Sequence, residues 1–152
     1  MVIYLATDHA GFELKEKIKK FLQDGGYEVE DFGAYQMDAE DDYPDFISKA
    51  AQAVSKDPSS KAIILGGSGQ GEAIVANKFP NIRTTVFYGG SLDIVKLGRQ
   101  HNDANVLSLG ARFLKEEDAI DAVKLWLETP FTNEERHIRR IEKIKKIEIG
   151  LK

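Results

Sequence analysis

The chain has 152 residues and no cysteine, which excludes disulfides, thiol nucleophiles and thiolate metal sites together. With 42% apolar and 30% charged residues and no apolar run near the ~18 residues of a membrane span, it is expected to be a single soluble domain, residues 1–152, in the cytoplasm; the opening MVIYLATDHAG also lacks the basic stretch of a signal peptide. Residues 136–152 hold seven basic and two acidic side chains, leaving 14 basic and 23 acidic ones elsewhere, and so acidic a body speaks against nucleic acid as the partner.

Short β-rich runs alternate with longer amphipathic ones. Residues 2–7 form an apolar run of strand formers. Leu14, Ile18, Phe21 and Leu22 then recur at helical spacing until Gly25 and Gly26 stop the helix. Residues 27–32 read as a second strand, and the polar stretch 33–43 as a loop. Pro44 is placed to open a helix reaching about Lys56, which Asp57-Pro58 breaks. Residues 61–65 read as a buried strand running into the GGSGQG of 66–71, with a short helix over 72–78. Residues 84–87 form a strand, Ser91 is placed to cap a helix reaching about Gln100, and 106–109 form the last strand. Helices over 115–127 and 133–149 follow, separated by Thr129-Pro130.

Five strands separated by helices predict a three-layer α/β/α, Rossmann-like fold with a five-stranded parallel sheet, because parallel neighbours require crossovers. Ligands bind such sheets beyond the carboxyl ends of the strands. Those ends carry Asp8 and His9, residues 66–72, and Gly110 to Arg112, while His101 and Asn102 end a helix just before the last strand.

GGSGQG follows a strand and opens a helix, so its main-chain N–H groups can turn toward a ligand's negative charge. It lacks the Gly-Lys-Ser/Thr of a Walker A loop. Gln70 breaks the GxSxG elbow, and the loop follows the third strand, whereas a dinucleotide fingerprint follows the first. A nest for an oxyanion remains. Glu72 stands in the first turn of the next helix, where the dipole alone is an adequate structural reason for it. Beside an oxyanion hole, though, a carboxylate is also what proton abstraction next to a carbonyl requires.

Asp8, His9 and His101 are conceivable zinc ligands, but their spacing matches no metal motif, and no metal is expected. Arg136 and Arg140 lie four apart and share a helix face; an anion between them would relieve their repulsion, and so would Glu134 and Glu135. Ile138, Ile141, Ile144 and Ile147 give the last helix an apolar face that must dock on its own domain or on a second subunit.

Taken together these segments resemble the type B ribose-5-phosphate isomerases and their galactose-6-phosphate isomerase relatives. The similarity covers DHAG at 8–11, DYP at 42–44, GGSGQGEAIVANK at 66–78, RQHNDAN at 99–105, Gly110-Ala111-Arg112 and RHIRRI at 136–141. Many members carry a catalytic cysteine at the position of Gly66 and an apolar residue at that of Glu72. This chain is similar instead to the branch whose GGSGxGE motif uses the glutamate as base.

The resemblance implies interconversion of ribose 5-phosphate and ribulose 5-phosphate, with a hexose 6-phosphate (allose or galactose) as the alternative substrate and a non-catalytic phosphometabolite-binding module as a further one. It implies that His101 with Asp8 opens the sugar ring and that Glu72 moves a proton between C2 and C1. The N–H groups around Gly67, Gly69 and Gly71 would hold the oxyanion, with Ser68 bonding nearby. Asn102 would position a substrate oxygen and Tyr43 line the pocket. His9, Arg112, Arg136 and Arg140, with His137 beside them, would bind phosphate. It further implies a homodimer or tetramer with sites shared between subunits, and no cofactor.

Overall fold

The computed structural model describes residues 1–151. Five parallel strands, β1 (Val2–Thr7), β2 (Glu28–Asp31), β3 (Lys61–Gly66), β4 (Thr84–Phe87) and β5 (Val106–Gly110), form one sheet in the order β2-β1-β3-β5-β4. Helices α1 (Phe12–Asp24), α2 (Pro44–Lys56), α3 (Gln70–Ala76), α4 (Asp93–Asn102) and α5 (Glu116–Glu128) cover it, and α6 (Glu135–Gly150) follows. The predicted three-layer architecture is the one the chain adopts. No helix among the described residues is long and apolar enough to cross a membrane.

Side-chain alternation builds the layers. Ile3, Leu5, Ile63, Leu65, Leu107 and Leu109 share a core with Ile18 and Leu22 of α1 and with Val123 and Trp126 of α5. Ala6, Ala62, Ile64 and Val106 belong to the opposite core, against Ile47, Ala50, Ala51 and Val54 of α2 and Ala76 of α3. Burial on both faces is why residues 62–65 of the third strand read as an unbroken apolar run. Each fully buried Leu or Ile contributes about 1.5–3 kcal/mol.

Helices α3, α4 and α6 depart from the sequence-based expectation by two residues at one end or both, and α5 is shifted by one. α3 opens at Gln70 and ends at Ala76, not 72–78, because Gly69 at φ +77° turns the chain directly out of the β3 loop. α4 starts at Asp93, whose N–H donates to Ser91 Oγ at 3.2 Å, and continues through His101 and Asn102 until Asp103 turns left-handed at φ +45°. α6 starts at Glu135, two residues later than expected, since Asn133 takes φ +56° and Glu134 is extended.

The topology positions the site. From β1 the chain crosses to β2 on one side and reaches β3 on the other, so the strand order reverses between β1 and β3. Thr7 is level with Leu65, and Gly66 with Gly110. Asp8, Gly67 and the 3-10 turn Ala111–Phe113 therefore emerge side by side at the carboxyl edge, where such sheets hold ligands.

Helix α6 stands apart from this packing. His137 is its buried residue and Ile141 is half-buried, whereas Ile138, Ile144, Ile147 and Ile149 are exposed, so most of the predicted apolar face stays open.

Candidate active site

The wall of the site is the loop 33–43, and backbone bonds fix where it starts. Thr7 N–H donates to the Gly33 carbonyl and Ala34 N–H to the Thr7 carbonyl, both at 2.7 Å. Lys15, fully buried, spends its ammonium protons on both Asp31 oxygens and the Ala34 carbonyl, each at 2.7 Å. A buried cation is tolerable when so fully paired. The loop then brings Asp41 and Tyr43 over the strand ends.

There Tyr43 borders a cleft of about 450 Å³. Asp8, His9, Tyr43, Ser68, Glu72 and Arg112, six of the side chains expected at the site, line it together with Gly67 and Gly71. Three of the functional side chains rest on glycines. The Glu72 carboxylate lies over Gly66. Arg112 Nη1 is 3.1 Å from where a Gly67 Cβ would be, and the Tyr43 hydroxyl is 2.6 Å from where a Gly71 Cβ would be. The glycines of the loop thus clear space for the groups that face the ligand. Ser108 Oγ donates to the Gly69 carbonyl at 2.7 Å and Arg112 N–H to the Gly67 carbonyl at 3.1 Å, which holds the loop against β5.

Glu72 is 4% exposed. Burial pushes its carboxyl above the ordinary range; the Glu72 and Gly69 N–H groups pull it back, and the nearby Asp8 charge raises it further. Two N–H groups at the start of α3 thus face this carboxylate. Asp8, also buried, accepts from Ala10 N–H at 3.0 Å, which fixes the turn after β1. His9 is held by Asp41: Oδ1 accepts the His9 main-chain N–H at 3.0 Å and lies 2.6 Å from Nδ1. The Asp41 hydrogen bond raises the pKa of the ring; desolvation opposes this, the Asp8 charge adds to it and Arg112 works against it.

The remaining expected residues lie off this cleft. His101 and His137 stack with centroids 4.2 Å apart and planes at 18°. His137 is 2% exposed; desolvation lowers its pKa, and His101 and Arg136 add to that. Arg136 Nε donates to Glu134 Oε2 at 2.8 Å, one of the two arrangements the sequence left open, while Arg140 is exposed. Asn102 lines a larger cleft of about 630 Å³, together with Arg83 and with Ile144 and Ile147 of α6. One protomer thus presents two separate groups of the expected residues.

Asp41 is absent from the residues expected from the sequence, because it lies 32 residues from the histidine it bonds and no spacing rule pairs them. His101, conceivable from the sequence as a zinc ligand with Asp8 and His9, stacks on His137 off their cleft. The three groups that offer ligand atoms within 4.8 Å of one another are Asp8, His9 and Asp41. A cation bound through His9 Nδ1 and Asp41 Oδ1 would have to displace the bond between them.

A buried carboxylate beside a glycine nest, with a histidine and an arginine on the same cleft, defines an α/β enzyme equipped to move a proton on an anionic substrate. The chain belongs to the ribose/galactose isomerase family, whose model matches residues 3–144, and it is an isomerase. It is 42% identical over 142 residues to the ribose-5-phosphate isomerase B of Mycolicibacterium paratuberculosis, covering 93% of this chain and 88% of that protein. The ribose-5-phosphate isomerase B structure from Clostridium thermocellum superposes with a TM-score of 0.94 at 40% identity over 100% of both chains. That from Mycoplasma genitalium, which holds ribulose 5-phosphate, matches with a TM-score of 0.92 at 36% identity over 97% of this chain and 95% of that one.

Proposed function

We infer that the chain interconverts ribose 5-phosphate and ribulose 5-phosphate through a cis-enediolate, with Glu72 as the base. The single observation that carries this assignment is the Glu72 carboxylate, buried on the Gly66 floor of the cleft and bordered by main-chain N–H groups.

The aldose phosphate enters as a ring, and His101 with Asp8 opens it by relaying the hydroxyl proton. Ionised Glu72 takes the proton from C2, and electron density moves onto the carbonyl oxygen. The N–H groups of 67–71 stabilise that oxygen, Ser68 relays the C2 hydroxyl proton to it so that C2 becomes the carbonyl, and Glu72 returns its own proton to C1. Every step moves a proton between a side chain and the sugar, so the scheme uses neither a metal nor an organic cofactor. His9 and Arg112 hold the phosphate from this side of the cleft, Arg136 and Arg140 from the other, and Tyr43 lines the pocket. Asn102 orients a substrate oxygen. His137, buried beneath His101, supports that ring more directly than it reaches phosphate.

The separation of the expected residues into two groups supports a homodimer whose sites are shared, with His101, Asn102, Arg136 and Arg140 supplied across the interface. The exposed isoleucines of α6 supply an apolar surface for it. The whole chain serves as one domain, and a phosphorylated substrate, which does not cross membranes unaided, suits the cytoplasm.

Turnover of the pure protein on ribose 5-phosphate, allose 6-phosphate and galactose 6-phosphate tests the assignment. The pentose phosphate should give the highest kcat/KM. Preference for a hexose phosphate would move the substrate, and binding without turnover of any of them would leave a phosphometabolite-binding module.

A further inference from the structure

Asp41 lies in an acidic stretch that gives no motif, yet it is placed with care. Its own N–H donates to the Asp38 carbonyl at 3.1 Å, and Glu40 N–H donates to Asp38 Oδ1 at 3.0 Å, so a closed turn presents it. Its side chain is 9% exposed. Oδ1 takes both the main-chain N–H of His9 and the ring nitrogen Nδ1, while Oδ2 is buried without a partner.

Leaving a carboxylate oxygen buried and unpaired costs stability, and capping the His9 N–H would need only a hydroxyl or an amide. What the carboxylate adds is charge beside an imidazole. A carboxylate only accepts hydrogen bonds, so Nδ1 must carry a proton toward Asp41, and Nε2 is the nitrogen left for a ligand on a ring that lines the cleft.

We propose that Asp41 is a positioning residue for substrate binding: it locks the His9 ring with Nδ1 inward and keeps it protonated, so that Nε2–H is a fixed cationic donor to the substrate phosphate. This rests on the assignment of His9 to the phosphate given above. The charged and titratable groups facing His9 are Asp8 from its own turn, Asp41 from the loop and Arg112 from the turn after β5, with Tyr43 and Glu72 on the same cleft. The Asp41 hydrogen bond makes the largest contribution to the raised pKa of the ring, in the direction that favours its charged form.

The test compares wild type with Asp41→Asn, which keeps the shape and an acceptor, and with Asp41→Ser, which caps the N–H without charge. With only three histidines in the chain, the His9 ring can be followed by proton NMR as pH is varied, alongside binding of inorganic phosphate and KM for ribose 5-phosphate at pH 5.5 and pH 8. In both variants His9 should titrate lower. Phosphate affinity and KM should worsen by about tenfold at pH 8 and by no more than about twofold at pH 5.5, where the ring is protonated without help. The variant-to-wild-type ratio at each pH cancels the ionisation of the substrate itself, and a merely structural loss would be alike at both. Unchanged His9 titration in either folded variant overturns the proposal directly. A lowered pKa with phosphate affinity and KM unmoved at both pH values overturns it through its premise, because the pair would then exist while His9 holds no phosphate.

Discussion

The carboxylate of Glu72 occupies the space a side chain on Gly66 would fill: a Cβ built on Gly66 overlaps Oε1 and Cδ and comes within 2.5 Å of Oε2. A side chain at 66 therefore requires the Glu72 carboxylate to leave this position. This gives a structural reason why family members that resemble this chain but carry a cysteine at the first position have an apolar residue at the second.

A double-mutant cycle reads that exclusion. Gly66→Cys alone should destabilise the fold, and Gly66→Cys combined with Glu72→Ala should recover much of the loss. The coupling energy should be about 1–3 kcal/mol, measured by denaturant unfolding of the four proteins. Additive effects would mean that the carboxylate moves aside without cost.

The raised carboxyl of Glu72 sets two opposite pH dependences. As a base it must be ionised, so kcat/KM should fall with acid through an apparent pKa above the ordinary glutamate value of 4.5. For stability, a carboxyl whose folded-state pKa is raised binds its proton more tightly when folded, so it weakens the fold as pH rises from the unfolded value through the folded one. Glu72→Gln should accordingly be more stable than wild type at neutral pH, and the advantage should disappear near pH 4. Thermal unfolding across that range checks the sign.

Lys15 tests the wall of the cleft. Lys15→Met removes three hydrogen bonds from a fully buried position and leaves the Ala34 carbonyl without that donor, although Lys19 still pairs with Asp31 at 2.8 Å. A loss of about 3 kcal/mol is expected in denaturant unfolding, together with a raised KM as the loop carrying Asp41 and Tyr43 loosens.

Shared sites predict complementation. Glu72→Gln and Arg140→Ala disable opposite contributions, so co-refolding the two inactive proteins should yield mixed dimers with one intact site each. Activity should return to about a quarter of wild type at equal mixing. No recovery would place all of these residues in one protomer's site.

Much of the fold was legible because alternation and helical spacing are local. Residues 2–7, 44–56 and 84–87 came out with the bounds the structure has, and the ligand edge followed from strands that must lie parallel. The 3-10 turns at His9–Gly11 and Ala111–Phe113 were not legible, since three residues carry no period. The glycines of 66–71 were read as an anion nest. Their packing under Glu72, Arg112 and Tyr43 depends on chain segments brought together only by folding. The same holds for Asp41 with His9, and for Lys15, whose position on an amphipathic helix gave no sign that its ammonium is buried.

The most direct test of Glu72 as the base follows the hydrogen at C2. With ribose 5-phosphate deuterated at C2, wild type should show a primary isotope effect and carry the label to C1 or release it to water. Glu72→Gln should bind the sugar phosphate with similar affinity yet leave the label at C2, with conversion slowed at least about a thousandfold. Label loss and ketose formation by Glu72→Gln at rates near wild type would contradict the mechanism.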